Sequence, residues 1–130
     1  MSNPFTDPLD AKINALTPDV ATRIRDLPGL EPDIARKLLK LLLGHACSAT
    51  HIGVITWARQ KIAQIPNWWL EKEIIGAAHE CLDLSDEWEY RRFLELICES
   101  SPRFKAEIVQ EGLRSSNLAV REAAEDELGR

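Results

Sequence analysis

At 130 residues the chain is long enough to bury a core as a single domain, residues 1–130. Its 45% hydrophobic and 28% charged content excludes a disordered chain, and no apolar window reaches the roughly 20 residues that a bilayer-spanning helix requires. The net charge of −5 is uneven: residues 1–65 hold 8 Lys/Arg against 6 Asp/Glu, whereas residues 66–130 hold 8 against 15. The acidic second half repels nucleic acid and anionic lipid, and it favours a basic protein partner.

Abundant Leu, Ala, Glu and Arg, beside few aromatic and β-branched residues, favour helix. The opening MSNPFTDPLDAK has neither a basic start nor an apolar run, so no secretory signal is expected and the expected location is cytoplasmic. Cys47, Cys81 and Cys98 show no paired spacing and are expected to be reduced, buried small hydrophobes.

In chain order, Asp7-Pro8 and Thr17-Pro18 each place a capping side chain before a proline suited to the first helical position. They predict short helices near 8–16 and 18–26, an N-terminal helical cap over residues 1–30 that covers one edge of the rest. A stronger helix follows Glu31-Pro32 to about His45; Ile34, Leu38, Leu39, Leu41, Leu42 and Leu43 give it an apolar face wide enough to pack on two sides. The next helix, about 50–64, sets Ile52, Ile55, Arg59 and Ile62 along one side, and Pro66 stops it.

After Pro66, Leu70, Ile74, Ala77, Ala78 and Cys81 keep helical spacing, and Gly76 inside that helix predicts a tight crossing. Ser85-Asp86 caps a helix with Tyr90, Phe93, Leu94 and Ile97 inward. Ser101-Pro102 opens another with Phe104, Ile108 and Val109 to Leu113 inward. Ser116-Asn117 caps the last, with Val120, Ala123, Ala124 and Leu128 inward and Glu122, Glu125 and Asp126 outward.

Superposing Ser85 on Ser115 lays Tyr90-Arg91 on Val120-Arg121, Phe93-Leu94 on Ala123-Ala124 and Cys98 on Leu128, an internal repeat of 30 residues. Leu113, Ser115, Asn117, Val120-Arg121, Ala123-Ala124 and Leu128 resemble the HEAT-repeat signature, and Leu82 to Cys98 repeats it more weakly. That resemblance implies an all-α, HEAT-like α-solenoid of about three helical hairpins, at residues 31–65, 66–99 and 100–130, behind the N-terminal cap. It further implies that the second helix of each hairpin lines a concave face, and that Arg91 and Arg121 tie one repeat to the next. Ser85 and Ser115 stand where the family carries an acidic turn residue, so its Asp–Arg ladder is not expected intact.

On that face, Arg59, Trp88, Arg92, Glu95, Glu99, Glu122, Glu125 and Asp126 are expected to point outward. Trp68 and Trp69 are neighbours and cannot share one direction on a helix, so one of them is a further candidate anchor. The expected partner-binding set is therefore Trp68, Trp69, Trp88, Arg92, Glu95, Glu99, Glu122, Glu125 and Asp126; a plain solvated helix face is the competing reading of the carboxylates.

No chemistry is signalled. His45, His51 and His79 lack metal-ligand spacing, no HExxH occurs, and the glycines form no phosphate loop. Cys47 lies between two histidines without a third, orienting group. No cofactor and no catalytic or metal residue are expected.

The leading expectation is a non-catalytic protein–protein interaction module, one version being a small bacterial immunity or inhibitor protein that masks a cationic toxin. The alternatives are an enzyme or enzyme accessory built on HEAT-like repeats, of the chromophore-lyase or DNA base-excision type, and a structural homodimer paired through the apolar face of residues 34–43. Base excision needs a cationic groove where this sequence puts acid.

Overall fold

A computed structural model describes residues 3, 4 and 6–129 and is all-helical, with no strand among those residues. Met1, Ser2, Phe5 and Arg130, at the ends of the expected cap and last hairpin, lie outside the described residues. The α-helices are α1 (Asp7–Asn14), α2 (Pro32–Ser48), α3 (Ile52–Ala63), α4 (Asn67–Cys81), α5 (Glu87–Ser100), α6 (Lys105–Leu113) and α7 (Leu118–Leu128). Among the described residues no helix is long and apolar enough to cross a membrane.

Helix α2 is the centre of the packing. Leu38, Leu39, Leu42 and Leu43 are all 0% exposed, and the helix packs against α3, α4 and α5. The width of its apolar stripe is therefore used inside the chain. Each such leucine contributes about 1.5–3 kcal/mol by leaving water. On the same face, through which a two-fold pairing was expected, Ile34 and Leu41 are half-buried.

Three helix starts are held by side chains. Asp86 accepts from the Glu89 amide at 2.9 Å, Asn117 from Ala119 at 2.9 Å, and His51 from Gly53 at 3.0 Å. Each satisfies an amide that the helix itself leaves unpaired, typically worth ~1 kcal/mol. Asn117 also donates its Nδ2–H to the Ser85 carbonyl at 2.9 Å, tying the start of α7 to the turn before α5.

The cap departs from expectation. Residues 18–26 do not form an α-helix; Val20–Thr22 and Ile24–Gly29 are 3₁₀ turns. The cause is Asp19, whose φ of 61° puts it in the left-handed region that Asp tolerates better than most residues, and this stops an α-helix from propagating past Pro18. The Asn14 side chain accepts from the Ala21 amide at 2.8 Å and fixes the redirected chain. The cap is then fastened to α3: Trp57 Nε1 donates to Asp10 at 2.9 Å, and Lys61 Nζ donates to the Ala21 carbonyl at 2.6 Å.

Side-chain bridges give the relative direction of the helices. Arg36 meets Glu73 at 3.2 Å and Lys40 meets Glu80 at 2.8 Å, so α2 and α4 run in one sense. Glu71–Arg103 at 3.1 Å and His79–Glu111 at 2.7 Å carry that sense to α6. Among the second helices, Ile52 and Trp88 line one hollow while Arg59 meets Glu95 at 2.7 Å, so α3 and α5 are also parallel. The Asn117–Ser85 bond and a 3.7 Å contact from Cys98 Sγ to Glu127 extend the same relation to α7. Helix α4 packs on α2 and approaches its own sequence neighbour α5 less closely.

Tyr90 and Val120, equivalent in the internal repeat, are both 0% exposed. Tyr90 reaches from α5 into α6, where its O–H donates to the Ile108 carbonyl at 2.9 Å and its ring lies over Gly112. A β-carbon at Gly112 would sit inside the Tyr90 phenol and 2.9 Å from the Ala124 methyl. The close approach between helices thus falls at Gly112. At Gly76, where it was expected, an added β-carbon meets only the guanidinium of Arg36.

One inward expectation is also corrected. Leu128 is 59% exposed because no described element covers the outer side of α7, whereas its repeat equivalent Cys98 is half-buried against that helix. Ile52 is 69% exposed because it opens α3 at the surface, one turn before the stripe reaches the core at Ile55.

Candidate protein-interaction face

Because α3 and α5 run parallel, their first turns stand side by side and leave a hollow of about 420 Å³. Ile52 and Ile55 form its α3 wall. On the α5 wall, Trp88 is 47% exposed, and the Arg92 guanidinium lies 4.1 Å from its ring centroid. Trp88 and Arg92 are one turn apart, which brings a guanidinium over an indole at i, i+4. Arg92 forms no ion pair among the described residues.

One turn further in, Arg59 closes the floor. It meets Glu95 at 2.7 Å and Glu99 at 3.5 Å, so two carboxylates expected to face a partner are instead partly neutralised within the chain. Its Nε is buried and finds no hydrogen-bond partner, so only the end of the guanidinium is satisfied. Arg91 pairs with Glu87 within its own helix at 3.0 Å, and Arg121 makes no ion pair among the described residues. Neither arginine ties one repeat to the next by an ion pair, which departs from what the resemblance implied.

Between α5 and α7 lies a smaller hollow of about 80 Å³, lined in part by Arg91, Leu94, Ala123 and Asp126. Glu122, Glu125 and Asp126 are exposed along α7. The face is therefore charge-divided: Arg59, Arg91 and Arg92 line the hollow between α3 and α5, and uncompensated carboxylates lie along α7.

The two remaining tryptophans lie elsewhere. Trp68 is 61% exposed in the first turn of α4, with Lys72 Nζ 5.5 Å from its ring centroid, and Trp69 is half-buried against the core. Trp68 does not line the hollow that Trp88 lines. The Trp88–Arg92 stack and the exposure of Ile52 were missed from the sequence; the i, i+4 spacing of an aromatic and an arginine was the available signal.

The surroundings of His79, Cys47 and His45 set the state of each. His79 is engaged at both ring nitrogens, Nδ1 with the Ile75 carbonyl at 2.9 Å and Nε2 with Glu111 at 2.7 Å. The hydrogen bond to Glu111 holds its pKa above the ordinary range, and neither nitrogen is left to activate the nearby Ser85, Ser115 or Ser116 hydroxyls. Burial pushes the Cys47 thiol up to about 12, which keeps it protonated and a poor nucleophile. His45 lies edge-on to Trp57 with ring centroids 6.2 Å apart, and burial lowers its pKa, with Lys12 adding to the effect. Among the described residues no three His, Cys, Asp or Glu side chains converge as metal ligands.

No protein-family model matches the chain, and no curated protein or solved structure matches it either.

Proposed function

We propose that the chain is a HEAT-like α-solenoid acting as a non-catalytic protein-binding module, with α3, α5 and α7 forming the binding face. The observation that carries this reading is the exposed Trp88, propped by Arg92 over an apolar-walled hollow and set in the same parallel helix set as the free carboxylates of α7. A large amphipathic side chain held rigid at a concave surface is a typical binding anchor, since little conformational entropy is lost when a partner covers it. Glu122, Glu125 and Asp126 add long-range attraction for a basic partner, felt within about 8 Å at physiological salt. The α2/α3 and α6/α7 pairing and the parallel second helices support the solenoid reading, while α4 packs chiefly on α2. An inhibitor or immunity protein that masks a basic partner is the narrower form of this function.

Affinity capture from native extract tests it with three baits: wild type, Glu122→Lys/Glu125→Lys/Asp126→Lys, and Trp68→Ala. A partner retained by wild type and Trp68→Ala, but lost with the charge reversal, supports the module reading. A partner held equally by all three baits contradicts it.

A further inference from the structure

We infer that the hollow between α3 and α5 receives an apolar partner side chain that is followed by a carboxylate, so that the bound segment is acidic at this end even though it meets acid on α7. The inference rests on the binding-module reading and adds the chemistry and direction of the segment. Three observations lead to it.

The hollow has apolar walls, Ile52 and Ile55 on one side and the Trp88 indole on the other, and at about 420 Å³ it has room for one aromatic or large aliphatic side chain. The charge at its rim is positive and available. Arg59 is already bound to Glu95 and Glu99, and Arg91 to Glu87, but Arg92 is stacked on Trp88 and has no carboxylate among the described residues. The Arg92 guanidinium carbon lies 4.1 Å from the indole centroid and forms no ion pair among the described residues. A guanidinium in that state can take a carboxylate through two parallel hydrogen bonds. Finally, the positive end of the α3 macrodipole lies at this edge with no acidic residue in its first turn, whereas that of α5 is already met by Asp86, Glu87 and Glu89.

The carboxylates of α7 lie across α5 from the hollow, with Asp126 lining the smaller hollow that shares Arg91 and Glu95 with it. A matching segment therefore reads apolar, then acidic at Arg92, then basic opposite Glu125 and Asp126. This opposition of charges sets the direction in which the segment lies and disfavours the reverse orientation.

Two-dimensional NMR of the full chain, following the Trp88 indole N–H and the Arg92 Nε–H, tests the inference with four probes. These are an acetylated, amidated Gly-Phe-Asp-Gly peptide, its Gly-Phe-Lys-Gly counterpart, an oligolysine, and a short oligothymidylate. The Phe-Asp peptide is expected to shift both resonances, with affinity about tenfold weaker in Arg92→Gln. The Phe-Lys peptide is expected to shift them much less, and oligolysine to shift only α7 amides. Equal binding of the two Phe peptides, or affinity unchanged by Arg92→Gln, overturns the inference. So does a stronger response to the oligothymidylate at these two resonances, which would make the hollow a nucleotide site. Oligolysine binding at α7 without any Phe-Asp response overturns this inference alone; silence from both peptides and oligolysine overturns the module reading with it.

Discussion

Replacing Gly112 by alanine isolates the contact that joins α5 to the last hairpin. In an ordinary helix the change stabilises by up to ~1 kcal/mol, because glycine loses more backbone freedom on folding. Here the new methyl enters space held by the Tyr90 phenol and stands 2.9 Å from the Ala124 methyl. Tyr90 is 0% exposed and has no room to step aside without giving up its hydrogen bond to the Ile108 carbonyl. Overpacking costs about 1–3 kcal/mol and the lost hydrogen bond ~1 kcal/mol, so the net change is a destabilisation of about 2 kcal/mol. For a domain of this size that lowers Tm by roughly 7 °C. Urea unfolding followed by tryptophan fluorescence and by far-ultraviolet circular dichroism measures it, with an unchanged slope confirming that only stability has moved. The same substitution in a Tyr90→Leu background is expected to be neutral or stabilising, because the group it strikes is gone. An increase in stability from Gly112→Ala in the wild-type background would refute the reasoning.

Gly44→Ala is the control: nothing lies within 4 Å of an added β-carbon, and the position is inside α2, so a gain of about 0.5–1 kcal/mol is expected in the same urea assay. For His79 the Glu111 hydrogen bond raises the folded-state pKa above the unfolded value, so the pair's contribution is full below the unfolded pKa of about 6.5 and is lost as pH rises through the raised folded value. His79→Gln is therefore expected to cost about 0.5 kcal/mol at pH 5.5, a figure set by solvent screening at a half-exposed pair, and close to nothing at pH 8.5. Stability curves of the two proteins that stay parallel across that range would remove the pair from the account. Trp57→Phe deletes the hydrogen bond to Asp10 and is expected to lower stability by about 1 kcal/mol while speeding amide exchange in α1 more than in α5. Asn117→Asp keeps the cap on α7 but loses the donor to Ser85, so in thermal unfolding it is expected to cost less than Asn117→Ala, which loses both.

Helices α2 and α5 were legible from sequence because local signals agree with one another there. Pro32 and Asp86 mark the starts, and the apolar spacing that follows matches what is buried, from Leu38 to Leu43 and from Tyr90 to Ile97. Residues 18–26 were misread because Thr17-Pro18 carries the same start signal, and only the left-handed backbone at Asp19 cancels it. Gly76 and Gly112 look alike in sequence, and what separates them is the tyrosine that arrives from another helix. Leu128 shows the same limit: its own helix marks it inward, but burial needs a neighbour on that side.

The face was legible as a set of positions and less so as a charge pattern. Periodicity places Arg59, Glu95 and Glu99 on the second helices, and cross-helix distance then couples them into ion pairs. That removes two of the expected free acids and leaves Arg92 as the uncompensated cation beside Trp88. Glu122, Glu125 and Asp126 are exposed as spacing indicated, and no basic side chain of the described residues reaches them as an ion pair.

Site-specific photocrosslinking tests the central claim most directly. A photoreactive phenylalanine analogue is introduced at Trp88 on the proposed face and, separately, at the exposed Lys37 on α2. The account predicts one discrete adduct from position 88, competed away by unlabelled wild-type protein, and none from position 37. Adducts of the same masses from both positions, or none from position 88 under conditions where a partner is captured, would contradict it.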